Sequence, residues 1–147
     1  MRKVILAIVA ILICMTPFYV SAADFNGSKP LICVLTEALE CTPGNSCLEV
    51  TNEDINLPNI LKVDVENNSI RAVAKGEGKH VTKIENKEHI DGKLILQGAE
   101  DGFENYQDGL GWTMAIKESD GDMILTASGE NVAFVVYGEC VPTIYLK

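Results

Sequence analysis

Three strands and the two turns between them can be read in residues 112–137, WTMAIKESDGDMILTASGENVAFVVY. Apolar and polar residues alternate at its start, which is the pattern of a strand with one buried face and one wet face. Asp120-Gly121 and residues 129–131 interrupt the apolar runs, and Gly, Asp and Asn are favoured in tight turns. The stretch therefore predicts consecutive antiparallel strands at 112–117, 123–128 and 132–137.

The same pattern continues upstream. Residues 61–66 alternate strictly between apolar and charged residues, as expected of a strand. Asn67-Asn68 suits a tight turn with positive φ, and residues 70–75 are expected to form the strand that runs back beside the first. Asp91-Gly92 is a strong hairpin signal between 89–90 and 93–96. Residues 81–86 form a weaker strand candidate.

Residues 30–39 are ambiguous between a strand and a helix. Ile32, Val34 and Thr36 favour a strand, whereas residues 37–40 favour a helix. We expect the strand. Residues 54–59 are expected to form a loop or one helical turn, because Pro58 cannot occupy a central strand.

These elements predict an all-β fold, an antiparallel meander of about eight strands in a single domain, residues 24–147. Closing such a meander into a barrel would remove its unpaired edges and bury one face of every strand. We therefore expect a small closed barrel of lipocalin-like or avidin-like architecture. A sandwich of two sheets is the alternative.

Residues 1–23 have the three parts of a secretory signal peptide. Arg2 and Lys3 precede an apolar run, Pro17 ends it, and residues 20–23 offer small side chains for cleavage after Ala23. The run is shorter than the roughly 20 residues that a membrane-spanning helix needs. The mature protein is therefore expected to be periplasmic or secreted, with no membrane attachment.

Removing the leader leaves 124 of the 147 residues and removes two of the 12 basic residues but none of the 21 acidic ones. The resulting net charge of −11, with His neutral, disfavours nucleic acid and anionic membranes as partners, because both select clustered Lys and Arg.

Four cysteines remain after cleavage, and an exported chain with an even number is expected to form disulfides. Cys41 and Cys47 flank the turn-forming residues Pro43-Gly44-Asn45, so we pair them with each other. Cys33 then pairs with Cys140 and joins the first mature strand to the last.

No residue pattern indicates catalysis. The two histidines, His80 and His89, lie among charged residues and are expected to be exposed. There is no Gly-x-Ser-x-Gly motif, no free mature cysteine and no zinc-ligand spacing. The chain is therefore expected not to be an enzyme and to need no metal or cofactor.

An acidic, aromatic stretch from Gly98 to Gly111 is the first candidate for a binding loop, because long loops in compact domains are often functional. Its carboxylates do not have the spacing of a twelve-residue calcium loop. The candidate binding residues are Glu100, Asp101, Phe103, Glu104, Tyr106 and Asp108.

The large apolar residues of the last strands either fill the interior of a small barrel or line a ligand cavity. They are Trp112, Met114, Ile116, Phe134 and Tyr137.

Four segments, residues 54–58, 111–116, 126–129 and 134–140, resemble an uncharacterised family of small exported bacterial proteins. The resemblance implies a periplasmic or secreted location and supplies no activity.

Four functions stay open at this point. The first is a non-enzymatic binding protein for a small apolar ligand. The second is a module for a protein partner, such as a periplasmic inhibitor that presents residues 24–29. The third is a structural protein of the envelope. The fourth, which we do not expect, is an enzyme that uses two buried carboxylates in a cleft.

Overall fold

The computed structural model describes residues 24–73, 80–102 and 108–145, so the expected leader lies outside the described residues. Within these ranges the chain forms ten strands, one short 3-10 turn at Thr143–Tyr145 and no α-helix, which confirms the all-β class. No helix in the described part is long and apolar enough to cross a membrane. The strands are β1 (Leu31–Cys41), β2 (Leu48–Val50), β3 (Ile60–Asp64), β4 (Ser69–Ala72), β5 (Val81–Lys83), β6 (Asn86–Ile90), β7 (Lys93–Glu100), β8 (Leu110–Lys117), β9 (Asp122–Gly129) and β10 (Val132–Pro142).

All strand pairs are antiparallel and belong to one sheet, in the order β5-β4-β3-β1-β10-β9-β8-β7-β6. The long strand β1 has two neighbours on its other edge, since its first residues pair with β3 and residues 38–40 pair with β2. The register of β1 against β10 shifts between Leu35 and Glu37, which marks a bulge. Bulges increase local twist and bending, so this one helps to curl the sheet.

The sheet curls into a half-barrel, and neither the closed barrel nor the two-sheet sandwich is formed. The terminal strands β5 and β6 are three and five residues long, and they are consecutive segments of the chain. Each pairs with a single neighbour, β4 or β7 respectively. The edges approach at Glu85, whose amide donates to the Gln97 carbonyl at 2.8 Å, but no continuous ladder joins them.

Both predicted cysteine pairs are formed. Cys33 and Cys140 face each other across β1 and β10, and Cys41 and Cys47 close a short loop before β2. The first bridge joins residues 107 positions apart and fixes the central strand pair of the sheet. The expected link between first and last strands is therefore confirmed, although the sheet extends outward on both sides of it.

Most strand predictions are confirmed, with shifted ends. Residues 30–39 form the strand β1 rather than a helix, and residues 54–59 form the expected loop. The hairpin turns contain the expected residues with positive φ, Asn68 at 49° and Asp91 at 48°. The prediction missed β2, and it merged part of β6 with β5, because Ile84-Glu85 interrupts that run without a Gly or Pro.

The N-terminal segment closes one end of the half-barrel. Phe25 is buried and lies against Gly121, where an added methyl group would come within 2.4 Å of its ring. Gly27 has a φ of 80° and packs against Val65 and Leu94. This segment was expected to be a polar lead-in available to a partner, and the burial of Phe25 makes it part of the core instead.

Candidate functional site

The interior of the half-barrel changes from large to small side chains along its length. On β9 the inward positions are Met123, Leu125, Ala127 and Gly129, in that order. On the same face of β7, two fully buried leucines are followed by Gly98 and then by a carboxylate, Glu100. One end is therefore packed solid, and the other end, called the mouth below, is left open by the residues that the structure describes.

A cavity of about 1140 Å³ occupies the mouth end. Its volume is close to the roughly 300–1,000 Å³ of typical small-molecule sites. Its apolar wall comes from strands on both sides of the curl and from the loop after β2: Ile55, Leu57, Leu61, Ile70, Leu110, Trp112, Met114, Leu125 and Ala127. The charged groups of the mouth are Glu53, Arg71, His80, Glu100, Asp101 and Asp108.

Trp112 forms one wall of the cavity and is 7% exposed. Its indole ring lies over Gly98, the residue paired with it on β7, where an added methyl group would come within 2.5 Å of the ring. The indole Nε1 is buried without a hydrogen-bond partner. Because a buried donor without a partner costs about 1–3 kcal/mol, this N–H is a group that a bound molecule can satisfy.

Glu100 is the last inward-facing residue of β7 and stands at the mouth. Its Oε2 lies 2.7 Å from His80 Nε2, so the pair connects the end of β7 with the residue that precedes β5. Its other oxygen, Oε1, is buried without a partner. Glu100 and Trp112, which both line the cavity, therefore each carry one buried polar atom without a partner in the described part of the chain.

The loop of residues 51–59 lines the cavity and is held by its own polar side chains. Asp54 Oδ2 accepts hydrogen bonds from the Thr51 hydroxyl at 2.7 Å and from the Thr51 amide at 3.1 Å. The hydroxyl contributes most to lowering the pKa of Asp54 below its ordinary value. The Leu57 amide donates to the Asn52 carbonyl at 2.8 Å, which places Leu57 against the cavity.

A second depression, of about 470 Å³, also contacts Trp112 and Ala127. It is lined largely by outward-facing polar residues such as Gln97, Thr113 and Thr126. It is a surface feature of the sheet, so the apolar cavity at the mouth is the better candidate site.

The predicted binding loop is shorter than expected. Gly98 to Glu100 belong to β7 and Leu110-Gly111 to β8. Of the six candidate residues, Glu100, Asp101 and Asp108 line the cavity. Phe103, Glu104 and Tyr106 lie outside the described residues.

Successive residues of a strand face opposite sides of the sheet, and this decides which of the large apolar residues point into the interior. Trp112, Met114 and Ile116 face inward as expected, and Phe134 is half-buried beside Ala127. The inward assignment of Tyr137 is wrong, because it is an odd number of residues from Phe134 and lies on the outer face, 38% exposed. The large side chains do not fill the interior at the mouth, since the cavity remains beside Trp112.

Both histidines are exposed, as predicted, and each has a carboxylate partner that the sequence did not indicate. His80 contacts Glu100, and His89 Nδ1 lies 2.5 Å from Glu118 Oε1 at the closed end. The partners are 20 and 29 residues away in sequence, so only the strand order brings them together.

In the part of the chain that the structure describes, no three His, Cys, Asp or Glu side chains are grouped closely enough to hold a metal ion. Comparisons with protein-family models, with curated proteins and with solved structures found no match to this chain. The resemblance to small exported bacterial proteins therefore stays a prediction.

Proposed function

We propose that this protein is a non-enzymatic binding protein that holds a small apolar ligand in the mouth cavity of its half-barrel. The observation that carries the proposal is the tapering interior, which leaves an apolar cavity of about 1140 Å³ beside the buried side chain of Trp112. Proteins rarely leave so much apolar surface unfilled, because close packing of that surface would stabilise the fold.

The chemistry of the wall supports binding rather than catalysis. Its apolar side chains provide affinity through burial, at roughly 25 cal/mol per Å² of ligand surface removed from water. Its few polar groups, concentrated at the mouth around Glu100, would orient a ligand. We also propose that the two edges of the curled sheet, which approach each other where β5 lies near the end of β7, close around a bound ligand and complete a barrel.

The two disulfides fit an oxidising environment, such as the periplasm or the cell exterior. We propose that the protein acts there after its leader is removed. The net negative charge of the mature chain fits a soluble carrier or scavenger that is repelled by anionic membrane surfaces.

The test is a titration with N-phenyl-1-naphthylamine, a neutral apolar probe that fluoresces when it leaves water. Trp112 is the only tryptophan, so energy transfer from tryptophan to the probe reports binding beside this residue. We expect saturable binding with one site and efficient transfer from Trp112.

Two variants with the same change in side-chain size provide the control. Ala127→Phe fills the cavity and should weaken probe binding at least tenfold, whereas Ala115→Phe adds the same ring on the outer face of β8 and should not. Leu57→Asp places a charge in the cavity wall from a loop, outside the strands, and should also weaken binding. Equal binding by all variants, or no binding by the unmodified protein, would refute the proposal.

A second candidate is a module for a protein partner. Residues 43–47 of the loop closed by Cys41–Cys47 are exposed, and Leu48, which follows it, is 66% exposed. Small exposed loops fixed by a disulfide suit the recognition of a protein surface, because little conformational entropy is lost on binding. Capture of one partner from envelope extract by the native protein, but not by Leu48→Asp, would favour this function.

A further inference from the structure

The mouth of the cavity carries an excess of negative charge. Among the residues that the structure describes, four carboxylates line it, from Glu53, Glu100, Asp101 and Asp108, against one guanidinium, from Arg71, and the imidazole of His80. Such a rim attracts cations and repels anions, and the low-dielectric wall beneath it strengthens the effect. Charge alone, however, does not define a ligand.

The unpartnered groups of the wall add an independent observation. Glu100 pairs with Leu110, and Gly98 pairs with Trp112, so Glu100 stands two residues nearer the mouth than the indole on adjacent strands. Two residues of strand correspond to roughly 7 Å, a distance that one polar head group and its first carbons can span. The Glu100 side chain is 29% exposed, so its carboxylate can be reached from the mouth, and one of its oxygens has no partner among the described residues of the protein. Trp112, 7% exposed, forms the aromatic wall beneath it.

A carboxylate acceptor beside an indole is well suited to a protonated amine. The ammonium group would donate a charge-assisted hydrogen bond to the Glu100 carboxylate, and the indole face attracts the same positive charge. The apolar side chains below, Met114, Leu125 and Ala127, match an alkyl or aromatic body. A fatty acid would place its carboxylate against Glu100 and Asp101, so an anionic head is disfavoured.

We infer that the ligand is an amphipathic cation, with an apolar body in the cavity and an amine head at Glu100. The inference rests on the binding function proposed above and specifies the class of ligand.

The test uses three compounds with the same ten-carbon chain and different heads: decylamine, decanol and decanoate. Each displaces N-phenyl-1-naphthylamine from the protein at neutral pH, below its micelle concentration and with the disulfides intact. We expect decylamine to bind at least about tenfold more tightly than decanol, the effect of one charge-assisted hydrogen bond. Decanoate should bind more weakly than decanol.

A pair of neutralising substitutions assigns the effect to one carboxylate. Glu100→Gln should reduce decylamine affinity about tenfold and decanol affinity much less, because the hydroxyl of decanol can still hydrogen-bond to the amide that replaces the carboxylate, whereas the ammonium loses its opposite charge. Asp122→Asn makes the same change in net charge at the closed end of β9 and should alter neither affinity.

The outcomes separate the ligand class from the binding function. If the probe binds and the three compounds displace it equally, or if Glu100→Gln behaves like Asp122→Asn, the cationic class is wrong and the binding function stands. If the probe itself does not bind, the proposed function fails, and the ligand class fails with it.

Discussion

The two ends of the half-barrel are built from the same strands and differ in how their interiors are filled. At the closed end, Ile116, Met123 and Phe25 pack to near-complete burial beneath the Cys33–Cys140 bridge. At the mouth, the same strands present Ala127, Gly129 and Glu100. The comparison shows that one sheet can pack large side chains at one end and, with small side chains on the same strands, leave a cavity at the other.

The largest expected difference between the ends concerns the disulfides. Replacing both Cys33 and Cys140 by Ala should lower the free energy of unfolding by about 5 kcal/mol, because that bridge closes a loop of 107 residues. The same replacement of Cys41 and Cys47, whose loop spans six residues, should cost about 2 kcal/mol. Urea unfolding of both variants measures the difference, and equal losses would contradict the role assigned to the long-range bridge.

Truncation of core side chains should show the same asymmetry. Ile116→Ala at the closed end should cost about 2–5 kcal/mol, since the side chain is fully buried and leaves a cavity. Leu110→Ala at the mouth should cost about 1 kcal/mol, because Leu110 is only half-buried. Thermal and urea unfolding compare the two, and a mouth variant that loses as much as the core variant would show that the mouth is packed.

Adding a methyl group at the boundary between the closed end and the mouth tests how tightly that boundary is packed. Gly98→Ala should destabilise the fold by about 1–3 kcal/mol, because the new methyl group would overlap the Trp112 ring. Gly111→Ala meets no atom within 4 Å and serves as the matched control, with a change below about 0.5 kcal/mol. Tryptophan fluorescence should shift in the first variant alone; a shift in both would argue against the position given to the indole.

The smallest expected effect is a loss of stability of the 51–59 loop at low pH. The pKa of Asp54 is lowered in the folded state by its bonds to Thr51, so the stabilisation of this loop is present above the ordinary carboxyl pKa. It is lost as the pH falls through the lower, folded value. The protection factor of the Leu57 amide, measured relative to the slower intrinsic exchange at low pH, should therefore fall in acid, while Cys140, at the closed end, keeps its protection.

A variant supplies the control for that pH effect. In Asp54→Ala, the Leu57 amide should have a low protection factor at neutral pH as well, with little further change in acid. A fall of the protection factor in acid as large as in the unmodified protein would mean that another group controls the loop.

Local sequence patterns were sufficient to predict most of the strands and both disulfides. Alternation identified β3 and β7 to β10, and the turn residues around Asn68 and Asp91 located the hairpins. The Cys41–Cys47 pair followed from a turn-forming sequence, and the remaining pair followed by elimination. These features depend on neighbours in the chain, which is why a single sequence contains them.

The curl and the cavity depend on distant residues and were not predicted. Gly98 was taken as the start of a loop, whereas it is a strand residue that makes room for the Trp112 ring. The taper from Met123 to Gly129 is present in the sequence at every second position, so side-chain size along one strand face was a usable signal. The pairing of His80 with Glu100 left no signal in the sequence, because it requires the whole sheet to bring β5 and β7 together.

The most direct test of the open mouth is a heteronuclear NMR titration of the protein with decylamine. The single indole N–H resonance, from Trp112, reports the cavity wall, and the backbone amides report both ends. We expect saturable shifts of the indole N–H and of Gly98, Leu110 and Ala127, with Gly121 and Cys140 at the closed end unmoved. Shifts confined to the outer face around Ile124 and Tyr137, with the indole resonance unchanged, would contradict a binding site inside the half-barrel.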